Sequence, residues 1–475
     1  MTRRGRALCI ALLAGAISAC ALGPRYAAPA TPKQAGAALL AVQSPVASPE
    51  EPPDAWWKLY QDPVLDGLVG EAFAANTDLR VAQANLAAAR AISRAARAGQ
   101  LPGTTLALGV DRGRDAGTDE ILELTGRRPR TFTFYEGMFD VNYELDLFGH
   151  VQRTVEAASA GVEAVEAQRD AARVTVAAET ARAYAQICAF GEQAAVTRRS
   201  LALVTRESEI ARKRRDAGAG SEFDVVRAEA LVEQVRSTLP PLEGQQRAAV
   251  FQLTALIGRT PADLPQGVGA CEQPPQLTAL LPAGDGASLL RRRPDVRAAE
   301  RRLAMAVAQV GVATADLYPR FSLSAFYGSV ATPWPQFLTA NGQTWGAGPS
   351  VDWSGPIQAG ARARVMQSEA GAAAAMAGFD GTVLIALKEA AQALSAYGSE
   401  VDHHAALLLA QEKVRRAFDV AKKQFAAGAV SNLDLLTSEQ ALVAADAAVA
   451  ASDLAMVQDQ IATFKALGGG WKGGQ

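Results

Sequence analysis

The chain has 475 residues, and 47 lysines and arginines nearly balance 49 aspartates and glutamates, which gives a formal net charge of −2. No basic excess is available to neutralise a phosphate backbone, which argues against a nucleic-acid partner. Three histidines and four cysteines leave few ligands for a metal or redox site. A mean hydropathy of +0.03 argues against a bundle of membrane-spanning helices.

The N-terminus has the pattern of a secretory signal followed by a lipid-attachment site. Arginines precede an apolar run over 7–17 that is too short to span a bilayer as a helix. The run ends Ile-Ser-Ala before Cys20, the arrangement in which a lipoprotein is cleaved at its cysteine and acylated on it. We therefore predict a signal peptide over 1–19 and a covalent lipid on Cys20. An ordinary signal peptide with an incidental cysteine is the alternative.

The remaining cysteines of the mature part suggest no metal site. Cys188 and Cys271 have no spacing that indicates zinc. Cys188 lies in a helical run, where we expect a small buried apolar residue rather than a reactive thiol. We therefore predict no metal and no cofactor apart from the lipid on Cys20.

The sequence repeats itself in two tandem halves. The segment that begins at Asp78 recurs at Asp295, and the segment 217–224 recurs at 427–434. The second correspondence continues without a gap to the end of each half. Each half is predicted to contain, in order, a helix, two short alternating runs, a very long helix and a return helix. The predicted helices are 64–99, 150–216 and 222–258 in the first half, and 286–316, 357–426 and 432–467 in the second.

The long helices are unusual. A helix of about 65 residues extends roughly 100 Å at 1.5 Å per residue, which no globular core needs. In the second return helix, apolar residues at a strict 3-4 spacing predict a coiled-coil seam. The seam residues are Leu433, Leu436, Gln440, Val443, Ala447, Ala450, Leu454, Val457, Ile461 and Phe464. In the first return helix, Pro240-Pro241 predicts a kink or break.

The short runs alternate apolar and polar residues with period two. They cover about 103–113, 130–147, 320–331 and 344–353, and aromatic residues lie near their ends. This pattern is typical of transmembrane β-strands, with a soluble four-stranded sheet as the alternative. Four strands cannot close a barrel with a lumen, and unpaired edges are costly in lipid, so the membrane interpretation requires oligomerisation.

These features divide the chain into segments. Prolines recur from Gly23 to Pro63, and because proline lacks an amide donor and fixes φ, this part is predicted to be extended. The predicted segments are the signal peptide 1–19, a lipidated strap 20–61, a first repeat 62–260, a linker 261–284, a second repeat 285–468 and a C-terminal tail 469–475.

Several motifs carry a resemblance to a known family. They are Trp-Trp-Lys-Leu-Tyr-Gln-Asp-Pro-Val-Leu at 56–65, Arg-Pro-Asp-Val-Arg-Ala-Ala-Glu at 293–300, Tyr-Pro at 318–319, and the Ala-Gly-x-x-Ser-x-apolar-Asp segments 217–224 and 427–434. Together they resemble TolC-type outer membrane factors. Cys20 followed by Gly-Pro and Tyr26 resembles the NodT-like lipoprotein branch, which serves resistance-nodulation-division efflux pumps.

The resemblance implies an α+β membrane protein that works as a homotrimer. Each protomer would give four strands to a shared β-barrel and its long helices to a periplasmic α-barrel, while the linker 261–284 would belong to an equatorial belt. The implied function is a passive exit duct, anchored by lipid in the cell outer membrane, for small toxic compounds or antibiotics. An inner-membrane pump would supply energy through a periplasmic adaptor.

The resemblance also assigns site residues. Five residues match the helix-hairpin tips that meet the adaptor: Arg214, Gly218, Ser221, Gly428 and Ser431. The apolar residue that usually follows the glycine is here only Ala219 or Ala429.

A sixth residue matches the family's periplasmic aperture. Asp419, nine residues before Gly428, matches an acidic ring that constricts the aperture, where close carboxylates would repel and attract cations. A second acid is not evident, because Lys422 occupies the next turn. A solvated carboxylate on the helix face is the alternative for Asp419.

Other functions remain open to different degrees. A protein-secretion duct and a metal efflux duct are alternatives, although six methionines and three histidines form no ligand cluster. An enzyme is disfavoured because His150, His403 and His404 form no convincing site and no phosphate-binding loop is present. A periplasmic coiled-coil or adaptor lipoprotein is the last alternative, and the four alternating runs argue against it.

Overall fold

The computed structural model describes residues 21–30, 47–114, 131–263, 267–277, 279–355 and 358–469. The predicted signal peptide, Cys20 and most of the C-terminal tail lie outside the described residues. The chain divides into two compact units. Unit 1 comprises Met1–Pro29, Leu86–Ala164 and Ala299–Phe379, and unit 2 comprises Ala30–Asn85, Val165–Ala298 and Asp380–Gln475.

Helices and strands are numbered here in chain order. The strands are β1 Ala47–Ser48, β2 Gly103–Arg114, β3 Thr131–Leu145, β4 Leu281–Pro282, β5 Arg320–Ala331 and β6 Gln343–Asp352. The helices are α1 Pro63–Ala75, α2 Thr77–Ala98, α3 His150–Asp216, α4 Glu222–Ser237, α5 Leu239–Leu256, α6 Gly286–Arg292, α7 Pro294–Ala315, α8 Trp334–Phe337, α9 Ala359–Ala426 and α10 Asn432–Ala466. Short 3-10 turns cover Trp56–Tyr60, Pro261–Asp263 and Val268–Ala270.

Unit 1 contains an antiparallel sheet in the order β2-β3-β5-β6. Its strands lie where the alternating runs predict them, with ends that differ by at most two residues. The register aligns Leu106, Phe139, Tyr327 and Trp345 in one row across all four strands, and all four side chains are exposed. The opposite face carries polar residues such as Asp140 and Asn142. One face of the sheet is therefore apolar, with α8 packed on it at Tyr135, and in the described part of the chain β2 and β6 are its edge strands.

Two helices predicted as single pieces are each divided in two. The prediction of one helix over 64–99 is wrong, because Asn76 takes an extended ψ of 132° and its side-chain oxygen accepts hydrogen bonds from the first turn of α2. The prediction of one helix over 286–316 is also wrong. Pro294 disfavours a helical conformation at Arg293, whose ψ is 118°.

The first return helix is broken, as its prolines predict. α4 ends at Ser237 and α5 begins at Leu239, with Thr238 between them and Pro240-Pro241 in the first turn of α5. Proline is tolerated in a first turn because its missing amide has no helical partner there.

The largest apolar core lies in unit 2. Trp56 is fully buried and stacks on Phe464 at 4.8 Å between ring centroids. The predicted seam of α10 is buried near Ile461 and Phe464, but Leu433, Gln440 and Ala447 are exposed. Near the start of α10, the seam residue Leu436 is buried, and so are Leu435 and Leu442, which lie outside the predicted seam. Near its start, α10 therefore buries residues on more than one stripe of its surface.

Candidate functional site

The two hairpin tips share one local structure. Gly218, after α3, and Gly428, after α9, have φ values of 69° and 73°, in the left-handed region that favours glycine. Ala219 N donates to Arg214 O at 2.8 Å, and Ala429 N donates to Gln424 O at 2.9 Å. These bonds satisfy carbonyls at the helix ends, and they explain why each long helix stops at its Ala-Gly pair.

Each return helix begins with a capping box. Ser221 Oγ accepts a hydrogen bond from Asp224 N at 3.2 Å, and Asp224 accepts one from Ser221 N at 3.1 Å. Ser431 and Asp434 repeat this arrangement at 3.2 and 3.0 Å. The hydrogen bonds from Ser221 and Ser431 hold the pKa of Asp224 and Asp434 below the ordinary range. The caps fix both turns and keep both carboxylates charged.

Contacts also join the two tips. Asn432 Nδ2 donates to Asp224 Oδ1 at 3.3 Å, and the guanidinium of Arg214 lies 4.0 Å from the centroid of the Phe425 ring. A groove of about 370 Å³ lies between them and is lined in part by Ala219 and Gly220. Of the five predicted tip residues, Arg214 and Ser431 line this groove, and Gly218, Ser221 and Gly428 lie in the two turns.

Each return helix has an exposed apolar side chain in its first turn. Phe223 is 70% exposed and Leu433 is 46% exposed. Phe223 was not among the residues predicted for the tips, where Ala219 and Ala429 stand after the glycines. The apolar position of the tip motif was the signal that could have found it.

Asp419 lies near the end of α9 and is exposed. Among the described residues it has no hydrogen bond or ion pair, whereas Lys422, one turn further on, donates to Glu207 of α3 at 2.8 Å. The aperture role of Asp419 stays a prediction. Lys422 is therefore held by α3 through Glu207, which was not among the predicted site residues.

The strap is held at the start of α3 in unit 1. Leu22 N donates to Phe148 O at 3.2 Å, and Arg153 Nε donates to Leu22 O at 3.1 Å. Ala21 contacts Gly149 so closely that a side chain at Gly149 would lie 2.7 Å from the Ala21 Cα. Cys20 itself lies outside the described residues, but the residue after it is fixed at the junction between β3 and α3.

Cys188 and Cys271 form a disulfide, with 4.5 Å between their Cα atoms. The expectation that Cys188 is only a small apolar residue is therefore wrong, although it is fully buried. The bridge ties the linker to α3, and Gln246 Nε2 supports it by donating to Ile187 O at 3.2 Å. The sequence feature that could have predicted this bridge is a pair of cysteines in a chain predicted to be secreted, because disulfides form in compartments outside the cytosol.

The described part of the chain has no group of three or more His, Cys, Asp or Glu residues arranged to hold a metal ion. Two of the histidines lie beside carboxylates instead. His150 Nε2 lies 3.5 Å from Asp316, and His404 Nε2 lies 3.6 Å from Asp453.

Comparison with known proteins gives consistent matches over nearly the whole chain. The family described as outer membrane efflux protein matches residues 68–259 and 287–469. The chain is 31% identical to outer membrane protein OprJ of Pseudomonas aeruginosa, covering 98% of this chain and 96% of OprJ. It is 29% identical to nodulation protein T of Rhizobium leguminosarum bv. viciae, covering 98% of this chain and 93% of that protein. The solved outer-membrane channel OprN is 34% identical, with a TM-score of 0.88, covering 95% of this chain and all of that one.

The sheet, the long hairpins and these matches together define an outer membrane channel protein. The chain belongs to the outer membrane efflux protein family, and the predicted likeness to a TolC-type, NodT-like factor is confirmed. Its location is the cell outer membrane.

Proposed function

We propose that the chain is the outer membrane exit duct of a tripartite efflux system for small toxic compounds or antibiotics. An inner-membrane resistance-nodulation-division pump would drive transport, and a periplasmic adaptor would connect pump and duct. The observation that carries this proposal is the exposed apolar row on the sheet of unit 1. The chain that carries this sheet belongs to an efflux family. The duct itself performs no chemistry, so it needs no catalytic residue.

Assembly as a homotrimer would complete the duct. Among the described residues nothing pairs with the outer edges of β2 and β6, and unpaired backbone groups cost several kcal/mol each in lipid unless a neighbouring strand pairs with them. Three protomers supply enough strands for a barrel with an open lumen, whereas one sheet does not. α9 contains an 18-residue stretch that is long and apolar enough to cross a membrane, and only 11% of that stretch is buried. Packing of this helix against neighbouring copies explains that exposure.

A tandem duplication would explain the internal symmetry. The order of helix, two strands, long helix and return helix occurs twice, and the family pattern matches the chain in two stretches. The two tips also have equal caps and equal glycine conformations.

The adaptor would dock on the tips. Arg214 lies in the last turn of α3, and Gly218, Ser221, Gly428 and Ser431 lie in two turns that are fixed by caps on the helices that follow. Small residues after each glycine leave the backbone accessible, and the flanking exposed apolar side chains offer surface to bury. Docking would therefore rely on close backbone approach and on Phe223, not on a large side chain after the glycine.

Two measurements test the proposal. Deletion of the gene should sensitise cells to members of a panel of dyes, detergents, antibiotics and metals, and restoring the wild-type gene should reverse the effect. The purified membranes should show a heat-modifiable trimer in the outer membrane fraction. Unchanged susceptibility to the whole panel would refute efflux of small compounds, and a soluble or inner-membrane monomer would refute the duct. Sensitivity to metals alone would favour a metal duct.

A further inference from the structure

Glu439 of α10 is fully buried, and neither of its carboxylate oxygens has a hydrogen-bond partner among the described residues. It shares a helix face with Leu435 and Leu442, which pack in an apolar cluster with Phe418. The next residue along α10, Leu436, packs into a second apolar cluster. An ionised carboxylate without partners is costly in such surroundings, so the position demands an explanation.

Two charged groups act on the Glu439 carboxyl from the helices packed around it. Glu207 of α3 is 7% exposed, and Lys422 of α9 donates to it at 2.8 Å. α4 packs on the adjoining cluster through its apolar residues Val225, Ala228, Leu231, Val232 and Val235. On α10 itself, Asp434 is engaged in the cap, and Asp446 accepts hydrogen bonds from Gln411 and Arg415.

These three residues lie where the two hairpins meet. The first hairpin is α3 with α4, and the second is α9 with α10. Lys422 links the second hairpin to Glu207 of the first, and Asn432 makes a further link to Asp224 nearer the tips. We call Glu207, Lys422 and Glu439 the hairpin joint.

We propose that Glu439 is a proton-binding site that couples the hairpin joint to pH. With the hairpins together, Glu439 holds a proton and the single ammonium of Lys422 neutralises Glu207. When the hairpins separate, Glu439 becomes hydrated and gives up its proton. A rise in pH therefore favours separated hairpins. This proton site does not depend on the proposed function. Only the further step, that separated hairpins correspond to an open duct, rests on the proposed function.

The direction and size of the effect follow from the surroundings of the carboxyl. Burial, and then the charge of Glu207, raises the pKa of Glu439 from 4.5 to about 7, while Lys422 opposes the rise. The raised pKa belongs to the state in which the hairpins are joined. Protonation of Glu439 therefore stabilises the joined hairpins fully below pH 4.5, and this stabilisation is lost as the pH rises through 7. Between pH 6 and pH 8, the ratio of separated to joined hairpins should grow by about tenfold.

The test uses the full-length trimer in lipid nanodiscs at pH 6 and pH 8. Hydrogen–deuterium exchange of the segment 415–426, corrected for the intrinsic dependence of exchange on pH, reports separation of the second hairpin. The wild type should exchange about tenfold faster at pH 8. Glu439→Gln, which is neutral at every pH, should exchange slowly at both. The matched control Glu412→Gln, at an exposed position of α9, should behave as the wild type.

A second variant protects the test against a folding defect in Glu439→Gln. Glu207→Gln removes the like charge and leaves Lys422 free to face Glu439, so the pH dependence should move to lower pH. Infrared difference spectra between pH 6 and pH 8 should also show a protonated carboxyl band that Glu439→Gln lacks. Exchange in the wild type that does not depend on pH, or a dependence that survives Glu439→Gln, would overturn the proposal. Neither result depends on drug susceptibility, so a failure of the proposed efflux function remains distinguishable.

Discussion

Replacing Cys188 and Cys271 together by serine should destabilise unit 2 without changing its fold. The bridge closes a loop over a sequence separation of 83 residues. Loop-closure entropy for a loop of this size corresponds to about 4.5 kcal/mol in the unfolded chain. At roughly 2 °C per kcal/mol for a large unit, the melting temperature should fall by ~9 °C. Serine is close in size to cysteine, so cavity formation adds little to this number.

The intrinsic fluorescence of Trp56 and Trp57 suits the measurement, because both lie in the same apolar core as Cys188. The wild type with a reducing agent should melt like the double variant, and the double variant should not respond to that agent. Unfolded, unreduced wild type should show no free thiol from these two cysteines. Equal melting of wild type and double variant would contradict the stabilising role, and labelling of the thiols without reduction would contradict the bridge itself.

Three further substitutions test single residues. Cys20→Ser should abolish labelling by radioactive palmitate while trimers still form, and continued labelling would refute lipid attachment. Asp419→Ala should raise the leak conductance of the duct in planar bilayers, whereas an unchanged conductance would make Asp419 a solvated helix-face carboxylate. Gly428→Ala should destabilise its tip by about 1 kcal/mol, because an L-residue with a φ of 73° is strained. Faster hydrogen exchange at 424–434 would measure this, and Gly371→Ala, in open space on α9, should have no such effect.

Much of the local structure could be predicted because its cause is local. Alternation with period two placed the strands, since successive side chains of a strand point to opposite faces. The Ala-Gly and Ser-x-x-Asp pairs predicted the tips, because a glycine in the left-handed region and a serine cap need only near neighbours. The breaks at Asn76 and Arg293 were missed, although both signals are also local.

Only the tertiary structure decided which distant residues meet. The sequence by itself determined the strands, the long helices, their caps and the family resemblance, because periodicity and short motifs record them. It did not reveal that Cys188 meets Cys271, that β3 pairs with β5, or that Glu439 is buried beside Glu207. Each of these depends on the packing of chain segments far apart in sequence. A charged residue on an alanine-rich helix has the same local pattern in water and in a core, so its burial is visible only once the neighbouring helices are in place.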